Sequence, residues 1–337
     1  MRVESQQGGW WFARALTVYA AYMNWAYQRT NPFDDGTPAL RDCWDRSKTL
    51  IARLKAEFEQ AGIVDRVRTV YVAGSLGRME AVPSSDCDIV VVLSESDRAS
   101  NQAKQVVDAV FDCVSRTGFQ RPKTEGIFGS ATSFEQLLDD ATAGQVDEDL
   151  AVFGKRIQAL LDSQPLVHDD EFASLQQLIL KRYASAPRAD PDAFELGWLM
   201  DDLIRYWRSL CSRTRWLCHD QTIQWRALNV KVRHSRMLLC AGLSYLLWDV
   251  AGAGDVVEQL SNRLKLVPLE RVRCSKVTAE YETFMAAMTS DLKKQVSDAD
   301  TFAQLIANGA KMSEAVGQRL AERFGTQVAA TLFGELR

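Results

Sequence analysis

Residues 70–93 read VYVAGSLGRMEAVPSSDCDIVVVL. One apolar run ends in Gly74-Ser75. A second opens with Asp86 and Asp88, one residue apart. The pattern predicts a strand over 67–72, a glycine turn into a helix starting near Leu76, and a second strand over 87–93. Residues two apart in a strand project to the same face, so Asp86 and Asp88 point together while Cys87 and Ile89 turn the other way. Adjacent carboxylates repel and raise each other's pKa unless a cation intervenes. Mg²⁺ prefers oxygen ligands and is typically held by one or two carboxylates plus substrate phosphates. The pair therefore fits a metal–nucleotide complex, with Mg²⁺ or Mn²⁺ as the cation.

The Gly74-Ser75 turn supplies the other half. Backbone N–H groups at a helix start attract phosphate, and glycine permits close approach. Ser75 adds a hydroxyl donor. Arg78, one turn on, has two readings: it reaches a phosphate, or it clamps a carboxylate, with Glu80 as its partner. Ser84-Ser85 forms a turn that aims Asp86. Alone, Asp-x-Asp is more often a capped turn or an edge-strand acid. Gly74, Ser75, Arg78, Glu80 and two framing strands tip the reading towards a nucleotide site.

The order strand, Gly-Ser, Asp-x-Asp, strand resembles the DNA polymerase β-like nucleotidyltransferase superfamily. The spelling G-S-L-G-R-M-E followed by S-D-C-D is similar to the nucleotidyltransferase domain of PII uridylyltransferases and related bacterial signal-transduction nucleotidyltransferases. That resemblance implies a two-metal mechanism, with Asp86 and Asp88 as metal ligands and a third carboxylate on a neighbouring downstream strand. Glu125, in RPKTEGIFG, has the matching topological position, and Asp147, in GQVDEDL, is its rival. Either is also readable as a solvated loop acid. The His-Asp phosphohydrolase signature and C-terminal ligand-sensing tandem of the uridylyltransferases are not seen, so only the transferase module is implied.

Around this stretch the chain divides by texture. Helices are expected over 10–28, 38–60 and 98–116, with a short third strand within 121–132. From 133 the pattern is helix after helix: 133–141, 148–162, 170–184, 192–214, 222–250, 254–265, 268–293, 298–321 and 323–335. The stretch 185–194, SAPRADPDAF, carries two prolines and reads as a linker. The expected fold class is α+β. Residues 1–64 form N-terminal helices packed on the remainder, 65–184 a small mixed sheet flanked by helices as the nucleotidyltransferase core, and 190–337 a helical bundle.

The segment 224–248, QWRALNVKVRHSRMLLCAGLSYLLW, loads Arg226, Lys231, Arg233, His234 and Arg236 onto its first half. A basic helix beside a metal–triphosphate site can neutralise phosphate, so Lys231 and Arg233 are candidate nucleotide contacts; a solvated face is the competing reading. RYWR at 205–208 and this later basic helix are also similar to bacterial nucleotidyltransferases of that kind. Arg205 and Arg208 are expected to pair with Asp201 and Asp202 along their own helix. Arg213 and His219 match the spacing of an Arg–His pair in helical HEPN-type ribonucleases, a weak motif. Tryptophans on the N-terminal helix (Trp10, Trp11, Trp25) and on later helices suggest that the two regions pack together.

Composition bounds the rest. The chain has 337 residues, 47% of them hydrophobic, and a formal charge of −4. That length can bury a sizeable core, and the mild acidity gives no global case for nucleic-acid binding. The longest apolar runs are too short to span a membrane. The seven cysteines form no CxxC pair, and the N-terminus lacks a signal pattern, so a reducing, cytoplasmic setting is expected. The three histidines lie far apart, which argues against zinc. The function expected is metal-dependent transfer of an NMP from an NTP to a hydroxyl of a protein side chain, an RNA end such as tRNA, or a small molecule. The alternatives are a vestigial nucleotide-binding regulator and a ribonuclease-like toxin or antitoxin component. A dimer is compatible with the helical faces but not required by them.

Overall fold

The computed structural model of the chain describes residues 24–122, 126–186, 195–218, 222–327 and 329–330. Its centre is a four-stranded mixed sheet of order β3-β2-β1-β4. β1 is Thr69–Ala73, β2 Asp88–Leu93, β3 Thr132–Ser133 and β4 Gln164–Val167. β1 pairs antiparallel with β2 on one side, Ala73 facing Asp88, and antiparallel with β4 on the other, Val72 facing Gln164. β3 lies parallel to β2, with Thr132 beside Val92.

Every residue of β1 is buried, and β2 is buried after Asp88. That is why both read as unbroken apolar runs rather than as alternations. Val70, Val72, Ile89 and Val91 face one layer. It is made by α1 (Pro38–Gln60), through Trp44, Ile51, Leu54 and Phe58, and by α2 (Ala103–Arg116), through Val106, Val110 and Phe111. Tyr71, Val90 and Val92 face the opposite way. They join a much larger core with α3 (Leu150–Leu161), α4 (Asp169–Ala184) and the helices that follow.

Those helices are α5 (Gly197–Trp216), α6 (Ile223–Lys231), a π-helical segment Val232–Arg236, and α7 (Met237–Asp249). After them come α8 (Val256–Arg263), α9 (Pro268–Val272), α10 (Ser275–Thr289), α11 (Leu292–Gln295) and α12 (Ala299–Phe324). The α+β class is therefore as expected: a small mixed sheet flanked by helices, with a C-terminal helical region. No described helix is long and apolar enough to cross a membrane.

The sequence expectation differs in four places. The helix expected over 98–116 is split, because Ser94 caps a short turn at Glu95–Arg98 before α2 begins at Ala103. The third strand is two residues long. The strand β4 was expected as part of an unassigned gap; its Pro165 sits at a register irregularity on the sheet edge, where a missing N–H is tolerated. The helix expected over 268–293 is broken where Arg273 and Asp291 take positive φ, +49° and +64°. The residues 10–23, with Trp10 and Trp11, and most of the linker 185–194 lie outside the described residues. Trp25 is buried against Phe172 of α4, ring centroids 5.3 Å apart.

Candidate active site

The end of β1 turns sharply at Gly74, where φ is +68°. A Cβ there would stand 2.3 Å from Asp88 Oδ2 and 3.2 Å from its Cγ. Glycine is required twice over, by the left-handed backbone and by the carboxylate lying in the space a side chain would fill. The motif glycine and the motif aspartate are thus in direct apposition.

The helix after Gly74 is a single turn, Gly74–Gly77. Too short to carry an appreciable macrodipole, it weakens the expectation that a helix N-terminus draws phosphate. Its function is to hold the loop that leads to the aspartates. Ser75 Oγ donates to Ser85 Oγ at 3.0 Å, and Ser85 Oγ accepts from the Val82 N–H at 2.9 Å. The Glu80 N–H reaches Ser75 O at 2.8 Å. Ser47 of α1 accepts from the Ala81 N–H at 2.9 Å. The serine turn expected at 84–85 therefore fastens the Asp86 loop to the glycine turn.

Of the two readings of Arg78, the structure displays the clamp. Its Nε donates to Glu80 Oε2 at 2.7 Å and its NH1 to Asp162 Oδ2 at 2.7 Å. All three side chains are buried. The Gly77 position explains the intimacy: a Cβ there would meet the Asp162 carbonyl oxygen at 2.0 Å. The guanidinium braces the turn against the end of α3, and a substrate phosphate would have to compete with two buried carboxylates for it.

Asp86 is exposed and Asp88 half-buried. Burial, then the neighbouring charge of Asp86, raises the Asp88 pKa to about 6; Asp162 adds to the rise, while Arg236 and Arg78 oppose it. Asp162 is itself pushed upward by burial, against the pull of Arg78, Arg236 and Arg271. Its Oδ1 is buried without a hydrogen-bond partner among the described residues.

Facing these acids is the basic segment from α6 through the π turn. Lys231 is half-buried; burial lowers its pKa, the nearby Arg236, Arg78 and Lys293 add to that, and Asp86 opposes it. Its ammonium makes no hydrogen bond among the described residues. The wider turn of the π segment, five residues from Val232 to Arg236, sets Arg236 near Lys231 and within electrostatic reach of both Asp88 and Asp162. His234 anchors the segment from behind. Its ring nitrogens bond to Val230 O and Asn308 Oδ1, each at 2.7 Å, and the ring stacks on Phe284 at 4.6 Å.

The sequence candidates separate accordingly. Gly74, Ser75, Arg78, Asp86, Asp88 and Lys231 come together. Arg233 points elsewhere: it is exposed, its Nε bonds to Asn229 Oδ1 at 3.0 Å, and it lines a different cavity. Glu125 and His219 lie outside the described residues. Asp147 is an exposed loop residue, whereas the adjacent Glu148 is buried between Arg156 and Arg205. Asp202 forms the expected pair with Arg205 along α5, at 3.1 Å, and also accepts from Tyr183 Oη at 2.6 Å, so the pair ties α5 to α4 as well. Arg213 is exposed on α5.

Sequence reasoning did not single out Asp162 or Arg236 for the site. Asp162 had no signal, because it closes α3 two residues before β4, whose QPLV does not read as an apolar strand. Arg236 had none beyond its basic neighbours, because its direction depends on the π turn.

A divalent ion fits this donor set in part. Asp86 and Asp88 are hard oxygen donors whose mutual repulsion calls for a cation, and among the described residues no group of three acids, histidines or cysteines completes an all-protein cage. That is the arrangement in which phosphates and water supply the remaining ligands.

A family model described as "Putative nucleotidyltransferase DUF294" matches residues 45–130. The span takes in most of α1, both long strands, the glycine turn and the aspartate pair. It supports a nucleotidyltransferase-like family for this part of the chain and does not single out the uridylyltransferases. No curated protein and no solved structure matches the chain.

Proposed function

We propose that the protein is a metal-dependent nucleotidyltransferase that transfers an NMP from an NTP to a hydroxyl acceptor, a protein side chain, an RNA end or a small molecule. The observation that carries the reading is the apposition of Gly74 to the Asp88 carboxylate, with Asp86 beside it and Lys231 and Arg236 opposite. Acids alone would bind a cation, and bases alone an anion. Both together, facing one another, suit a metal–triphosphate.

Asp86 and Asp88 would hold Mg²⁺ or Mn²⁺. Bound there, the ion supplies charge neutralisation for the pyrophosphate leaving group and lowers the pKa of the attacking hydroxyl. Gly74 leaves the Asp88 carboxylate room at the turn. Ser75, tied to Ser85, fixes the loop. Lys231 and Arg236 place positive charge where the triphosphate would lie, and Arg78 keeps the turn rigid through Glu80 and Asp162. Rigid placement of this kind is the main contribution a protein makes to phosphoryl transfer.

The test is pyrophosphate release from each of the four NTPs with Mg²⁺ or Mn²⁺. The expected result is release with at least one NTP, abolished in the Asp86→Ala/Asp88→Ala variant and shifted to higher KM in Lys231→Gln. Release unchanged in the double variant removes the assignment. Saturable NTP binding with no turnover favours the regulatory alternative.

A further inference from the structure

On the far side of the π segment from the acids lies a cavity of about 450 Å³ between α5, α6 and α12. Trp207, Val232 and Met237 give it an apolar wall. Thr214, Asn229 and Ser313 give it hydrogen-bonding groups, and Arg215 and Arg233 give it two guanidiniums. Asp86, Asp88, Lys231 and Arg236 do not line it.

The two arginines are its most informative feature. Surface arginines usually find a carboxylate, and many in this chain do. Arg233 is held by the neutral side-chain oxygen of Asn229, and Arg215 lies close enough to the Cys211 thiol to pull its pKa down against burial. Neither has an acidic partner among the described residues. Two guanidiniums on one concavity, without an acidic partner among the described residues, form a dianion-binding arrangement, since each can offer paired N–H donors to phosphate oxygens. The floor is fixed. Gly309 of α12 lies so close to the π segment that a Cβ there would be 2.9 Å from the Arg233 Cβ and 3.0 Å from the His234 Cε1. The volume lies within the ordinary range for small-molecule sites, and the apolar wall suits a compact ring.

We infer that this cavity is a second ligand site, separate from the metal–nucleotide site, for a small phosphomonoester with a compact apolar or aromatic body. The phosphate pairs with Arg215 and Arg233, the body packs along Trp207 and Met237, and Asn229 and Ser313 hydrogen-bond the rim. The inference does not depend on the transferase reading, because it uses none of the residues assigned to that site.

Phenyl phosphate is the probe, titrated calorimetrically in EDTA so that metal-dependent binding at the aspartates is suppressed. Saturable binding at one site per chain is expected for the unsubstituted protein and for Asp88→Asn. Arg215→Gln and Arg233→Gln should each weaken it about tenfold, as loss of one charge-assisted contact does. Ser313→Trp, which fills the cavity from α12, should abolish it. Absence of saturable binding, an affinity unmoved by both arginine variants, equal affinity for phenol, or loss of binding in Asp88→Asn overturns the inference.

Discussion

Asp88 is held in a position that is unfavourable for folding without a cation. Burial and the charge of Asp86 raise its pKa from 3.8 to about 6, so across that window the native state binds more protons than the unfolded chain. Stability in the absence of metal therefore falls as pH rises from about 4 to about 6 and is flat above. Asp88→Asn removes both the charge and this slope. In EDTA at neutral pH the variant should melt about 1–3 °C above the unsubstituted protein, the shift expected for about one to two kcal/mol in a chain of this size. Near pH 4 the two should converge. Mg²⁺ with the correct NTP should raise the melting temperature of the unsubstituted protein and leave the variant unmoved. Equal melting curves at neutral pH would show that Asp88 is not strained by its neighbours. A group placed at a stability cost and released by ligand is the usual mark of a functional residue. At this scale the sequence was informative wherever spacing alone fixes geometry. Gly74 at a strand end needed no tertiary information, whereas Asp86 precedes β2, so its direction is set by the loop and not by strand alternation. Arg78 did need it, because the choice between phosphate and carboxylate depends on Asp162, eighty-four residues away.

The glycine turn is a rigid element because a buried ion cluster, Arg78 with Glu80 and Asp162, joins it to the start of β4. Such clusters add little net stability over an apolar replacement, yet removing one member leaves charges buried and unpaired. Arg78→Met should cost about 3–5 kcal/mol in urea unfolding at neutral pH. Part of that loss should return on acidification, as Glu80 and Asp162, both already pushed upward by burial, take up protons. A variant as stable as the parent, or one whose deficit does not shrink at low pH, would mean that the cluster is wetter than its burial indicates. The elements also explain what the sequence revealed. α1 matches its expected bounds because Pro38 opens it and its apolar stripe is complete. β4 was hidden by Pro165 and by its shortness. Its strand character comes from pairing with β1, not from its own composition. The π segment was hidden inside one long helical pattern: the insertion of a wider turn leaves no sequence signature, yet it decides that Arg236 faces the acids and Arg233 faces the other cavity.

For the whole molecule, the decisive fact is that the sheet has two cores and that one of them is shared. Tyr71, Val90 and Val92 pack into the same apolar cluster as Phe172, Leu199, Leu203, Leu238, Leu247 and Tyr281. Tyr71 and Phe172 are 4.8 Å apart, centroid to centroid. Arg29, near the start of the described chain, ion-pairs with Glu270 of α9, and Glu282 of α10 accepts the Ala39 and Leu40 N–H groups at the start of α1. Residues from the segments 1–64, 65–184 and 190–337 thus share one apolar cluster: α3 and α4 cover this face of the sheet, and α5, α7 and α8 pack on α3 and α4 in turn. Lys231 and Arg236 reach the aspartates from the same C-terminal segment, so the site and the shared core stand or fall together. Calorimetry of the intact chain should show one cooperative transition, with calorimetric and van't Hoff enthalpies that agree. A fragment ending at residue 186 should unfold without cooperativity and bind a hydrophobic dye, because it leaves open the apolar faces of α3 and α4 that α5, α7 and α8 cover. Two resolved transitions in the intact chain, or a fragment that melts cooperatively, would show that the sheet domain folds on its own and that the basic helix is a docked partner rather than part of one body.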